Sequence, residues 1–275
     1  MSSCQPPVFF TLVVIRHEPI AKLEKYIPDV QDALRKSGFT GQMMRFDVAQ
    51  HSHPSLAVSP AAPSDDTITE RSYRIFTADQ RSAFTFNDQG VFAYHTAAYT
   101  TQAALFERVR MGLTLFHEIV QLQQVNRVGI RMLDLIRPSD TQHELEEFVQ
   151  PSLLGFRGIE CPQAGSPMIS SMEQVFAGET WEARARFDCL PDHFGLNTGL
   201  LLDIQGFQLS EKVVRGGHVL HGILDTDSGS KSGSSSMYDF DVDRVMEDLS
   251  EHKTRISQLF RAAVTPVALS AWGLL

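Results

Sequence analysis

The feature that most constrains how this chain can fold lies near its end, between Asp241 and Ala263. There Val242, Val245, Met246, Leu249, Ile256, Leu259, Phe260 and Ala263 recur at three- and four-residue steps. Such spacing lines the side chains up as one apolar stripe on a long amphipathic helix. Asp241 or Asp243 is placed to cap its start. A stripe of that length needs a broad apolar surface beneath it. The alternating segments between about 167 and 227 supply a sheet that would provide one. Trp181, Ala183, Ala185 and Phe187 fall on one side of a strand, with Glu182, Arg184, Arg186 and Asp188 on the other. Segments 168–176, 199–207 and 218–225 complete a four-stranded antiparallel set, and DSGSKSGSSS at 227–236 reads as a flexible tether leading into the helix.

The first half has the same outline. The run Val8 to Arg16 is a buried strand, and Pro28 and Asp29 open a helix that Gly38 ends. After a strand at 42–48, the Pro- and Ser-rich stretch 51–69 is a loop. Strands at 72–77, 83–87 and 91–95, separated by turn residues, form an antiparallel meander. Thr100 or Thr101 then caps a helix whose Ala103, Phe106, Val109, Leu113, Phe116 and Val120 share a face, and the strand 127–136 follows. The fold expected is α+β in two halves, each an antiparallel sheet covered by a long amphipathic helix. Residues 1–137 form the first half, 138–165 a connector with a short acidic helix near 144–149, and 166–275 the second half.

Composition excludes several classes. With 275 residues and 43% apolar content the chain can bury a core without staples, and its 3 cysteines are odd in number and far apart. Reduced thiols and a cytoplasmic location follow, with Cys189 simply packed in a strand. No basic residue precedes the apolar run Val8–Ile15, so it is not a signal peptide, and no segment approaches the roughly 20 apolar residues needed to cross a bilayer. A net charge of −9 makes nucleic acid an unlikely partner.

Several stretches resemble those of the TIGR04255 family, bacterial proteins of about this length found sporadically among genomes. They are VVIRHEPI at Val13–Ile20, YIPDVQDALRKSGF at Tyr26–Phe39, RVGIRMLDLI at Arg127–Ile136, ILDTD at Ile223–Asp227 and the long segment Phe240–Gly273. The resemblance covers nearly the whole chain. It departs at His17, where an aromatic is usual, and at Met132 and Leu133, where an aromatic and Asn or Asp usually follow the strand arginine. It implies an accessory role of the defence or toxin–antitoxin type and no particular chemistry.

The catalytic signatures fail on inspection. His218 and His221 are three apart on a strand and face opposite ways, and His117-Glu118 lacks the second histidine of a zinc helix. His51 and His53 lie in a solvated loop. Asp239, Asp241 and Asp243 begin like a calcium loop, but Arg244 and Ser250 stand where glycine and a bidentate acid belong. Lys231 has no phosphate-loop spacing around it. No metal or cofactor is expected.

Four residues keep functional weight. Arg16 and Arg131 sit on otherwise apolar strands, where a guanidinium needs a partner if buried. Asp225 and Asp227 share one side of a strand end and can be that partner, or form a small acidic site with Asp203. The leading expectation is a non-enzymatic component that binds a protein partner or a second copy of itself through a sheet edge. The competing one is a sensor or enzyme holding a nucleotide or phosphate through Arg16 and Arg131.

Overall fold

A computed structural model describes residues 7–50, 68–138, 144–155, 170–190, 204–210, 220–231 and 237–275. Among these residues are the strands β1 (Val8–His17), β2 (Met43–Gln50), β3 (Ile68–Phe76), β4 (Ser82–Asn87), β5 (Val91–Thr96), β6 (Gln124–Ile136), β7 (Ser170–Ala177), β8 (Trp181–Leu190), β9 (His221–Ser230) and β10 (Tyr238–Asp239). The helices are α1 (Ile27–Lys36), α2 (Gln102–Val120), α3 (Leu145–Phe148), α4 (Val242–Ala263) and α5 (Pro266–Ala271). The class is α+β with a large antiparallel sheet, as the sequence indicates.

The strands form one sheet in the order β2-β3-β4-β5-β1-β6-β9-β8-β7, with β10 pairing β6 at its start. Two separate sheets were expected. Instead β6 pairs β9 from Gly129 opposite Gly229 to Ile136 opposite Gly222, joining the early and late strands. The reason is chemical. VGIRMLDLI has apolar residues on both faces and a long run of backbone donors and acceptors, and such a strand is stable only with a neighbour on each side. β1 occupies the other side, from Val8 opposite Asp134 to His17 opposite Val125.

Both long helices lie on the same face of this sheet. Leu105, Val109, Leu113 and Phe116 of α2 and Val245, Met246, Leu249 and Ile256 of α4 belong to one buried cluster, with Val13 and Ile15 of β1 and Val128, Ile130 and Met132 of β6. Val30 and Leu34 of α1 join them. Asp241 caps α4 by accepting from the backbone N–H groups of Asp243 and Arg244 at 2.8 and 3.1 Å, and Thr101 caps α2 by accepting from Ala104 N at 3.2 Å. At the far end α3, α5 and the close of α4 bury Leu145, Phe148, Ala263 and Leu269 against Ile136, Phe187, Cys189 and Leu224. Cys189 is fully buried and packs in β8, as expected.

Two expectations change. The tether proposed for 227–236 begins too early, because Asp227–Ser230 is the end of β9. Serine and glycine are used there for their size. A Cβ on Gly229 would stand 3.0 Å from the Val128 carbonyl oxygen and 3.3 Å from the Gly129 Cα, so bare backbone is what lets β9 lie against β6. Residues 232–236 lie outside those described. The strand expected at 199–207 is a turn over 204–207, with 199–203 also outside the described residues. Here Phe207 is a plug on the opposite face of the sheet. Its ring lies 5.3 Å from Phe10, 5.0 Å from Phe76 and 5.6 Å from His95. Arg74 fastens this turn by donating to the Gln205 carbonyl at 2.9 Å. Most of the loop expected at 51–69 lies outside the described residues, and β3 already begins at Ile68.

Packing is tight between α2 and the meander. A Cβ built on Gly112 would come 2.2 Å from the tip of the Phe84 ring, which Phe39, Phe92 and Tyr94 hold at 4.7, 5.5 and 4.9 Å. Alanine is the better helix former by roughly 1 kcal/mol, yet Gly112→Ala is expected to lower stability by about 1–3 kcal/mol through overpacking. Urea denaturation followed by far-UV circular dichroism checks this; a stabilised variant would show that α2 stands further off the sheet.

Candidate functional site

The face of the sheet away from the long helices is charged over β6, β9 and β8. Strand alternation puts Arg127 and Arg131, Asp225 and Asp227, and Glu182, Arg184, Arg186 and Asp188 on that side. Each guanidinium meets a carboxylate. Arg131 grips Asp225 with two bonds, Nε to Oδ1 at 2.8 Å and Nη2 to Oδ2 at 2.6 Å. Arg184 Nη2 donates to Asp227 Oδ2 at 2.9 Å, Arg127 Nη2 to Glu182 Oε1 at 3.0 Å, and Arg186 Nε to Asp188 Oδ1 at 3.0 Å. Burial pushes the Asp227 carboxyl above its usual range, and the nearby Arg184 and Arg131 pull it back.

Arg131, Asp225 and Asp227 therefore do come together, as an ion-pair ladder across three strands. Arg16 does not join them. It is exposed, and register places it opposite Arg127 while Arg131 lies opposite Leu12. Four residues of strand separate the two positions, roughly 13 Å. The two arginines do not converge on one anion. Asp203, His51, His53 and His218 lie outside the described residues. His117 stacks on Phe240 at 4.3 Å, and no group of three or more His, Cys, Asp or Glu among the described residues is placed to hold a metal.

Three features were not read from the sequence. His252 sits in the α4 stripe between Leu249 and Ile256, buried, with Nδ1 2.9 Å from Ser228 Oγ and 3.2 Å from an Arg255 amino group. A guanidinium can only donate, so Nδ1 is an acceptor and the ring is neutral. Burial, and then Arg255, hold its pKa down to about 4. The Ser228–His252 pair looks like half of a nucleophile dyad, but Ser228 is itself buried and Arg255 opposes proton uptake. It ties α4 to β9. The second feature is Asp134 of β6, buried on the helix face with Oδ1 lacking a hydrogen-bond partner. Burial raises its pKa to about 7, against the attraction of Lys253 and with a smaller push from Asp225.

The third is the sheet edge at β7. This strand pairs only with β8 among the described residues. It is exposed along most of its length, with Val175 at 65% and Phe176 at 40% accessibility. Its sequence, SSMEQVFA, contains one charge and no proline. The devices that normally stop edge-to-edge pairing are lysines, prolines and inward charges, and β7 has almost none of them. An alternating pattern that fails to bury one face was the available signal.

Comparison with protein-family models, curated proteins and solved structures finds no match. No helix among the described residues is long and apolar enough to cross a membrane.

Two outcomes follow. Asp225 is the buried half of the Arg131–Asp225 fork, so Asp225→Ala should cost about 1.5–3 kcal/mol in chemical denaturation, while Asp225→Ala combined with Arg131→Met should recover part of that loss. For Asp134, the folded pKa of about 7 lies above its ordinary 3.8. The unfolded chain sheds this proton first, so wild-type stability falls as pH rises through that window. Asp134→Asn should then be more stable than wild type by an amount that widens from about pH 4 to about pH 7 and stays level above it. Thermal melts at half-unit pH steps measure that difference; His252, with its depressed pKa, acts in the opposite direction and is common to both proteins.

Proposed function

We propose that this chain is a non-enzymatic protein-binding component, and that its partner is a second copy joined by antiparallel pairing of one β7 with the other. The observation that carries this reading is the outer edge of β7, which among the described residues has no strand beside it. An exposed row of backbone N–H and C=O groups flanked by Val175 and Phe176 is a template for another strand. Two identical edges can pair about a two-fold axis, each residue meeting its counterpart reciprocally. A register centred on Gln174 sets Phe176 of one copy across from Met172 of the other, a favourable sulfur–aromatic contact. The neighbouring charge ladder contributes little attraction, because its ion pairs are satisfied within the chain.

An eight-residue strand pair is a small interface, and interfaces of that size associate weakly. A concentration-dependent dimer is the form expected, suited to an accessory module of the defence or toxin–antitoxin type. The odd number of widely spaced cysteines agrees with a cytoplasmic setting, where cysteines stay reduced.

Size-exclusion chromatography with light scattering, run over a concentration series, tests the reading. Wild-type protein should shift from monomer toward dimer as concentration rises, and Val175→Lys with Phe176→Lys should remain monomeric with an unchanged circular dichroism spectrum. A wild-type chain that stays monomeric throughout, or a double variant that dimerises equally well, would remove the proposal.

A further inference from the structure

Away from both the ladder and β7, a cavity of about 630 Å³ opens between the end of α1, the β3–β4 turn and the first turn of α2. This volume lies within the range of small-molecule sites. We propose that it binds an uncharged, hydroxyl-bearing ring compound of nucleoside or glycoside size.

The floor sets the chemistry. Ser82 Oγ and Thr96 Oγ1 are 2.9 Å apart, and Tyr94 lines the same floor. Thr96 Oγ1 also accepts from the Ala98 N–H at 3.0 Å. Burial raises the Tyr94 pKa, so the phenol remains a neutral donor. Thr77, Tyr99 and Thr101 add further hydroxyls to the wall. Hydroxyl groups donate and accept by rotation, and a lining made of them is complementary to a ligand whose own hydroxyls do the same. Beside them Phe39 packs edge-on to Tyr94 at 6.5 Å and, with Leu105, gives the cavity an apolar side for a ring face.

The rim carries charges of both signs and suits neither an anion nor a cation. Asp79, whose carboxylate is held ionised by bonds from Thr77 Oγ1 at 2.6 Å and the Arg81 N–H at 3.1 Å, stands there with Glu107 against Arg108. Two carboxylates to one guanidinium disfavour a phosphate. The positive end of α2 and Arg108 disfavour a cation. A neutral ligand escapes both penalties.

Thermal-shift and calorimetric titrations with adenosine, uridine and methyl α-D-glucopyranoside at millimolar concentration test the assignment, the first two probing the nucleoside class and the third the glycoside class. At least one should raise Tm, since a ligand that binds only the native state must stabilise it. Ala104→Trp, which fills the cavity from the first turn of α2, should abolish the shift. Tyr94→Phe and Ser82→Ala should each weaken binding about threefold to tenfold, the worth of one neutral hydrogen bond. If the tryptophan variant does not fold, those two decide the matter. No shift with any probe, or equal shifts in wild type and all folded variants, overturns the site. The oligomeric state plays no part in this result, so it stands or falls independently of β7 pairing.

Discussion

The architecture depends on β6 having a strand on each side. Its thirteen residues hold the register of β1 and β9 together, so strands from opposite ends of the chain become neighbours. A strand with Val128, Ile130 and Met132 on one face and Leu133 on the other would be an aggregation hazard at an edge. Inside the sheet its backbone is paired on both sides. Once β6 is central, α2 and α4 have no separate sheets to cover. They lie side by side on one continuous surface, with Arg110 of α2 paired to Asp243 of α4.

This arrangement makes the two faces of the late strands unlike. Under α4 the residues of β8 and β9 are small or apolar, with Ala183, Phe187, Cys189, Leu224 and Ser228 all buried. On the other face the same strands carry the arginine–carboxylate ladder. Cross-strand pairs of opposite charge suit a sheet surface that is partly shielded, because each ion is desolvated only as far as its partner compensates. Arg131 and Asp225 are the deepest pair, at 18% and 3% side-chain exposure, and they form a two-bond fork. The outermost pairs, such as Arg184 with Glu173 at 3.9 Å, are looser and more exposed.

Much of this was legible in the residues. Period-two alternation in Trp181–Asp188 and the meander, and three-four spacing in α2 and α4, are local patterns, and local patterns survive folding because each strand or helix must still bury one face. Arg131 with Asp225 was legible too, since a buried guanidinium requires a carboxylate and ILDTD offers two. What was hidden depends on which strand pairs with which. The union of β6 with β9 joins segments about ninety residues apart, and no periodicity encodes it. Ser228 and Gly229 looked like a linker because small residues serve both flexible tethers and close backbone contacts, and only the neighbour tells the two apart. His252 was lost for a related reason: a histidine within an apolar stripe is ambiguous until Ser228 is seen beneath it.

The same reasoning explains why the cavity and the β7 edge occupy opposite ends of the sheet. Where α1 and α2 converge on β4 and β5, the strands end in Ser82, Thr96 and Tyr94, and the helices begin or finish above them. Side chains there cannot interdigitate as they do mid-strand, so space remains and hydroxyls line it. At β7 the limit is different. α4 is long enough to reach β8 through Arg255, which stacks on Trp181 at 4.7 Å, but its apolar stripe is already engaged by β6 and β9. Beyond β8 among the described residues, Val175 and Phe176 have no helix to receive them. Among the described residues the sheet is wider than its helical cover, and β7 is the strand left at its margin.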